Sequence, residues 1–312
     1  MAITRFIRDD GVPIREIPGF RDWVLGAPRA SVQPTPEWTD DHYASAARKK
    51  IRGMERFVAR LDRWGTDLKR CSVLDIGCGA GIDTLLLALH PVRQIVGIDL
   101  AFPLMEAGEN GDCTRRLARE MLRQLGITES LERLLARARV RFESMTAAEM
   151  NFPDATFDLV LSRAVLEHVA PLGGALAEMG RVAARGGLLW HTIDPYYWMK
   201  GCHKRGLVDV PWAHARLSPQ EYRRYLTERE GAKAADRRCS HLSTLNQLGL
   251  DAWRTRIEET GYEVLQWRED TSPLAEAVLE AFPEAVETVR SGIDPRDLTR
   301  CSIRTWLRAP SA

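Results

Sequence analysis

An α/β fold with a doubly wound, mostly parallel sheet is the class this sequence predicts, and three observations predict it. From Cys71 onward, short β-rich runs (SVLDI, QIVGID, RVRFES, FDLVLS, GLLWHTI) alternate with helical stretches, the rhythm of βαβ units. The first run ends in a glycine-rich turn that opens a helix. The chain has 312 residues, 45% hydrophobic and 28% charged, which suits one such domain carrying insertions and excludes a disordered or collagen-like chain.

Residues 1–37 hold Pro13, Pro18, Pro28, Pro34 and Pro36, which favour an extended arm with turns. From Trp38 a helix is expected, with Ile51, Met54, Phe57, Val58, Leu61 and Trp64 on one side. Arg48, Lys49, Arg52, Arg56, Arg60 and Arg63 fall on the other side; this stripe reads as a solvated face, with contact to phosphates or a membrane surface as the alternative. Residues 101–137 alternate Arg, Glu and Leu at helical spacing and are expected to cover one sheet face. Beyond GLLWHTI the rhythm stops, and 193–245 reads as an irregular insertion rich in Tyr, Trp, Arg and His. A helix over 247–260, the strand YEVLQW, a helix over TSPLAEAVLEAFPEAVETVRSG and a last strand in RCSIRTWLRAP follow. The expected organisation is an N-terminal arm and cap helix over 1–70, a core over 71–192, a substrate-side insertion over 193–245 and the C-terminal part of the core over 246–312.

The net charge of +1 supplies no field to gather a polyanion, so no nucleic-acid partner is expected. Cys71, Cys78, Cys113, Cys202, Cys239 and Cys301 form no CxxC pair and read as reduced thiols of a cytoplasmic protein. The first residues break every apolar run with Arg, Asp or Pro, so no export signal is expected, and the absence of an apolar run of about 18 residues argues against a membrane span. Composition does not specify the oligomeric state.

The chemistry concentrates in VLDIGCGAGIDTLLLA. An apolar strand carrying Asp75 runs through Gly77, Gly79 and Gly81 into a helix, so the turn offers bare backbone to a ligand. Dinucleotide sites use a related turn with GxGxxG spacing, whereas the spacing here is GxGxG. Asp99 closes the next strand 18 residues after Gly81, where a carboxylate can accept both hydroxyls of a ribose. Both readings need that Asp; the remainder, MTAAEMNFPDATFDLVLSRAVLEHV, separates them.

With VLDIGCGAG, VGIDL and FPDATFDLVLSRAVLEHV together, the sequence resembles the class I S-adenosylmethionine (SAM) dependent methyltransferases over roughly 71–192 and 246–312. The resemblance implies a Rossmann-like sheet and SAM as the cofactor. It implies that Asp75, Gly77, Gly79 and Gly81 lie along the methionine and ribose portion of SAM, that Asp99 binds the ribose hydroxyls and that Leu100 packs on the adenine. Ser162, with Arg163 beside it, would start the loop under the methionine end, or serve only as a helix cap. Thr146 stands where the family commonly has an Asp for the adenine amino group, followed by the small Ala147; Thr accepts one hydrogen bond, more weakly. Relatives that recruit a metal carry Glu-x-x-Glu-His, but this chain reads Ala164, Val165, Leu166, Glu167, His168, so no metal is expected there. Cys202, His203, His214, Cys239 and His241 fit no common zinc spacing and are read as structural.

The implied reaction is methyl transfer to a small molecule, in specialised metabolism, which depends mainly on aligning and desolvating the acceptor. His191, at the end of the fifth strand, is the candidate base, with satisfaction of loop carbonyls as the alternative. Trp190, Tyr196, Tyr197, Trp198 and Trp212 are expected near the substrate, Tyr197 as a catalytic candidate and Tyr196 and Trp198 as binding residues; core packing is the alternative. Trp38, His42 and Tyr43 are expected near the methionine end of SAM, under a lid formed by 1–70. A second activity stays open: closure of the methionine part of SAM to azetidine-2-carboxylate with release of methylthioadenosine. A SAM-binding or nucleic-acid-binding scaffold is the non-enzymatic alternative.

Overall fold

The computed structural model describes residues 5–26, 34–136 and 139–311; Pro28 and Arg137 lie outside them. In chain order the elements are β1 (Arg5–Ile7), β2 (Pro13–Arg15), α1 (Phe20–Leu25), α2 (Asp40–Leu61), β3 (Ser72–Ile76), α3 (Ile82–Ala88), β4 (Gln94–Asp99), α4 (Glu109–Gln124) and α5 (Leu131–Leu135). They continue with β5 (Val140–Ser144), β6 (Phe157–Arg163), α6 (Leu172–Val182), β7 (Ala183–Ile193), α7 (His203–Gly206), α8 (Ala213–Arg216), α9 (Pro219–Glu230) and α10 (Ala232–Leu242). The chain ends with α11 (Leu250–Glu258), β8 (Glu263–Thr271), α12 (Pro273–Ala281), α13 (Glu284–Glu287) and β9 (Arg300–Arg308).

Seven strands form a mostly parallel, Rossmann-like sheet in the order β5-β4-β3-β6-β7-β9-β8. The chain leaves β3 toward β4 and β5 on one side and returns to β6 on the other. The switch in direction therefore falls between β3 and β6, where open α/β sheets bind ligands beyond the carboxyl ends of their strands. β3 pairs in parallel with both β4 and β6, and all five of its residues are buried, as a strand covered on both faces requires.

One compact unit holds Pro28–Arg163, Gly174–Trp190 and Leu307–Ala312. Its core includes Val73, Leu74, Ile76, Ile95, Val96 and Ile98. Helix α2 packs on α3 and α4 with Met54, Phe57 and Leu61 buried, while Arg48, Lys49, Arg52 and Arg56 stay exposed. Thr39 caps α2 by accepting from the His42 backbone, and the His42 ring in turn accepts from the Thr39 N–H.

The other unit holds Met1–Ala27, Ala164–Gly173 and His191–Trp306. Here the first strands are more ordered than an extended arm: β1 and β2 form an antiparallel hairpin, and α1 follows. The segment 1–70 is accordingly divided between the two units. Within this unit the N-terminal segment is fastened to the 193–245 block. The Ile17 N–H donates to the Asp209 carbonyl at 2.7 Å, the Arg229 guanidinium pairs with the buried Glu16 at 2.6 Å, and the Asp9 N–H donates to Glu221 at 2.8 Å.

The 193–245 block is largely helical rather than irregular. Its strongest helix, α9, starts at Ser218, whose hydroxyl accepts from the Glu221 N–H while the Glu221 carboxylate accepts from the Ser218 N–H, and Pro219 occupies the first turn. Residues 101–137 likewise break into α4 and α5, with Gly126 in a left-handed conformation after α4. The C-terminal helical run breaks after α12, where Pro283 has no N–H to continue the ladder.

Candidate active site

In the unit containing β3, Gly77, Gly79 and Gly81 take φ of +64°, +54° and +78°, the left-handed region that favours glycine. A Cβ on Gly81 would meet the Phe142 ring at 2.8 Å, so this glycine lets strand and helix close together. A Cβ on Gly79 would meet nothing within 4 Å; that side of the turn faces open space a ligand can fill. The Asp99 carboxylate accepts from the Gly79 N–H at 2.7 Å and from the Leu100 N–H at 2.6 Å, one bond to each oxygen. Each oxygen therefore keeps a lone pair for a hydroxyl donor.

Leu100 beside it is 77% exposed, an apolar side chain with the placement that covers a flat ring. The register Asp99↔Ser144 brings Thr146 and Ala147 to the same edge, and the Met145 N–H donates to the Asp99 carbonyl. The Thr146 hydroxyl accepts from the Ala148 N–H at 2.9 Å, and Ala147 is buried. Ser162 is fully buried opposite Ile76. The structure thus gathers Gly77, Gly79, Gly81, Asp99, Leu100, Thr146, Ala147 and Ser162 along the carboxyl edges of β3, β4, β5 and β6.

Asp75 is placed differently from an open ligand contact. It is 1% exposed, its Oδ2 accepts from the Thr84 hydroxyl at 2.7 Å, and Arg163 donates to the same oxygen at 3.1 Å. Arg163 also lies 3.5 Å from Asp83, which receives Lys50 at 2.8 Å. Burial pushes the Asp75 carboxyl up, opposed by Arg163 and Thr84. For Asp83 burial acts in the same sense, but the Arg163 and Lys50 charges outweigh it and hold the carboxyl low. This chain of charges, buried at Asp75 and partly exposed at Lys50, ties α2 to the start of α3 and to the end of β6. Sequence reading missed Lys50, Asp83 and Thr84; the signal available was an acid one turn into the helix that follows the glycines.

Tyr43 is buried against Trp38, with the Arg116 guanidinium 4.4 Å above its ring. Burial and the neighbouring Cys113 thiol push its phenol up to about 12, and its described contacts lie on α2, α4 and the residues before α2.

In the other unit, His191 is fully buried on β7, and burial depresses its imidazole to about 4, so it is neutral at physiological pH. Tyr196 stacks edge-on against Tyr197 and against His214, each at 5.2 Å between ring centres. Tyr197 donates its hydroxyl to the Gln247 carbonyl at 3.1 Å, and His214 donates from Nε2 to the Trp198 carbonyl at 3.1 Å. Tyr196, His214, Tyr222, Cys239, Gln247 and Arg290 border a cavity of about 100 Å³, large enough for a small group and far smaller than a whole cofactor. Trp212 is a core residue, 1% exposed, with its indole N–H donating to the Leu298 carbonyl at 2.9 Å.

One grouping was not expected. The missing acid at Ala164 argued against a metal, yet His203 places a ring nitrogen within 4.8 Å of donor atoms of both Glu167 and His168. His203 was weighed with Cys202, His214, Cys239 and His241; what sequence spacing hid was its partnership with a loop more than thirty residues earlier.

A doubly wound sheet, a left-handed glycine turn with open space on one side and a carboxylate braced to receive two hydroxyls make a site of the shape and donor set that suits a nucleoside. The donor set fits the adenosyl part of SAM: Asp99 for the ribose, Leu100 for the adenine, the bare Gly79 backbone for the remainder. A family profile described as a methyltransferase domain matches residues 74–191, the stretch that holds the glycine turn, Asp99 and Ser162. Norajmaline N-methyltransferase of Rauvolfia serpentina is 26% identical over 232 residues, covering 73% of this chain and 65% of that protein. A malonyl-[acyl-carrier protein] O-methyltransferase of Geobacter sulfurreducens is 31% identical, covering 55% of this chain and 56% of that protein. The chain thus spans under two thirds of the length of either relative. Among solved structures, an S-adenosylmethionine dependent methyltransferase from Mesorhizobium loti aligns with a TM-score of 0.44 and 15% identity, covering 78% of this chain and 93% of that one. No helix among the described residues is long and apolar enough to cross a membrane.

Proposed function

We propose that the protein transfers the methyl group of SAM to a nitrogen or oxygen of a small molecule, in specialised metabolism and in the cytoplasm. The observation that carries this reading is the braced Asp99 at the glycine turn inside the methyltransferase domain. The named relatives methylate at N or O, and this favours transfer over ring closure of SAM. The sulfonium of SAM makes its methyl carbon electrophilic. The chain's task is to hold an acceptor lone pair in line with the S–CH3 bond, in a dry space, and to receive a proton where the acceptor must lose one.

In this reading Tyr196 and Trp198 contact the acceptor, and His191 and Tyr197 serve its proton. Neutral His191 has a free base form at every physiological pH, although burial makes it a weak proton acceptor. Mass spectrometry of SAM incubated with the protein tests the reading. S-adenosylhomocysteine that appears only when amine or phenol acceptors are added is the expected result. Methylthioadenosine formed from SAM alone would replace methyl transfer with cyclisation or cleavage.

A further inference from the structure

We propose that Glu167, His168 and His203 form a binding site for one divalent ion of the zinc class, with water completing the coordination. Two imidazoles and a carboxylate make a donor set that zinc takes with a further position left open. Three independent features point to a cation there.

The first is an unsatisfied carboxylate. Glu167 is 2% exposed, both of its oxygens are shielded from solvent, and among the described residues no side chain donates to either. A buried carboxylate is ordinarily paired, hydrogen-bonded or bound to a metal. Asp194 lies near enough for its charge to disfavour the Glu167 carboxylate, while the Glu167 and Asp194 backbone N–H groups work the other way. The second is an imidazole in the same condition. His203 Nε2 is shielded from solvent and has no hydrogen-bond partner among the described residues, which leaves a ring nitrogen of the kind that binds metal.

The third is geometry. The donor atoms of the three residues lie within 4.8 Å of one another, and the His168 and His203 rings stand 4.9 Å apart, nearly perpendicular. Around a tetrahedral ion with bonds of about 2.0–2.2 Å, neighbouring donors stand about 3.3–3.5 Å apart, so the group closes on the ion by side-chain rotation. Its backbone is already fixed. The Asn246 side chain donates to the Leu166 and Val169 carbonyls at 2.7 and 2.9 Å, and its N–H donates to the Glu167 carbonyl at 2.7 Å. His203 sits in the left-handed region at φ +56°, an uncommon place for a residue other than glycine. The His241 ring, 6.2 Å from that of His203, stands outside the ligand set.

The site is read from metal occupancy, so it stands or falls separately from methyl transfer. Protein stripped with chelator is titrated with Co2+ and followed by visible spectroscopy, and zinc content is measured after reloading. One equivalent of Co2+ with d–d bands and no thiolate charge-transfer band is expected, since the donors are N and O. Glu167→Gln keeps the shape, and His203→Asn suits the left-handed backbone; each should weaken Co2+ at least tenfold while circular dichroism stays unchanged. No binding by the folded parent protein, a sulfur charge-transfer band, or affinity unchanged in both variants would each overturn the proposal.

Discussion

Asp75 and Glu167 are both buried carboxylates, 1% and 2% exposed, both pushed up by burial, and they sit in opposite circumstances. Asp75 belongs to a closed account of charge: Thr84 and Arg163 meet it, Asp83 shares Arg163, and Lys50 meets Asp83. Glu167 has Asp194 and two imidazoles nearby, and among the described residues no side chain donates to either of its oxygens; only the Glu167 and Asp194 backbone N–H groups ease its charge. The comparison teaches that burial alone does not identify a ligand site. The region around β3 is complete in itself and offers a ligand backbone and Asp99; the region around Glu167 holds a buried carboxyl with no side-chain donor among the described residues.

Removing each carboxylate should therefore have opposite effects. Asp75→Leu strands Arg163 with Asp83 as its remaining partner and should cost about 3 kcal/mol in urea unfolding. Glu167→Leu, measured on chelator-stripped protein, should raise stability by about 1–2 kcal/mol, because it removes an unsatisfied buried polar group. The same sign in both variants would erase the contrast.

A third carboxylate extends the satisfied side. Glu178 accepts from Arg181 and from the Met150 N–H, which holds its carboxyl near 2, with the Arg181 hydrogen bond the main cause. A carboxyl lowered on folding stabilises above its ordinary range, and that contribution disappears as pH falls toward 2. Unfolding curves from pH 6 to pH 2 should show the parent losing about 2 kcal/mol relative to Glu178→Gln. Asn246→Ala frees the Leu166 and Val169 carbonyls and should cost about 1 kcal/mol while also loosening Co2+ binding.

The parts legible in the sequence are those governed by local rules. Strand runs such as SVLDI and QIVGID mark buried parallel strands, and left-handed glycines need no distant partner to be recognised. Helix α9 was also legible, in Ser218, Pro219 and Glu221, but the aromatic density around it drew the reading toward an irregular loop. The charge network and the Glu167 group were hidden for a physical reason. Lys50 reaches Asp83 and His203 reaches Glu167 across more than thirty residues, and nothing in local periodicity records such a pairing.

The central claim is that Asp99, braced by the Gly79 and Leu100 N–H groups, holds the ribose of SAM. Titration calorimetry of SAM into the parent and into Asp99→Ala tests it most directly. Loss of two charge-assisted hydrogen bonds, each worth about 1.5–3 kcal/mol, should weaken SAM at least tenfold with the fold intact. Equal SAM affinity in the two proteins, or tight binding of NADH by the parent, would contradict the account.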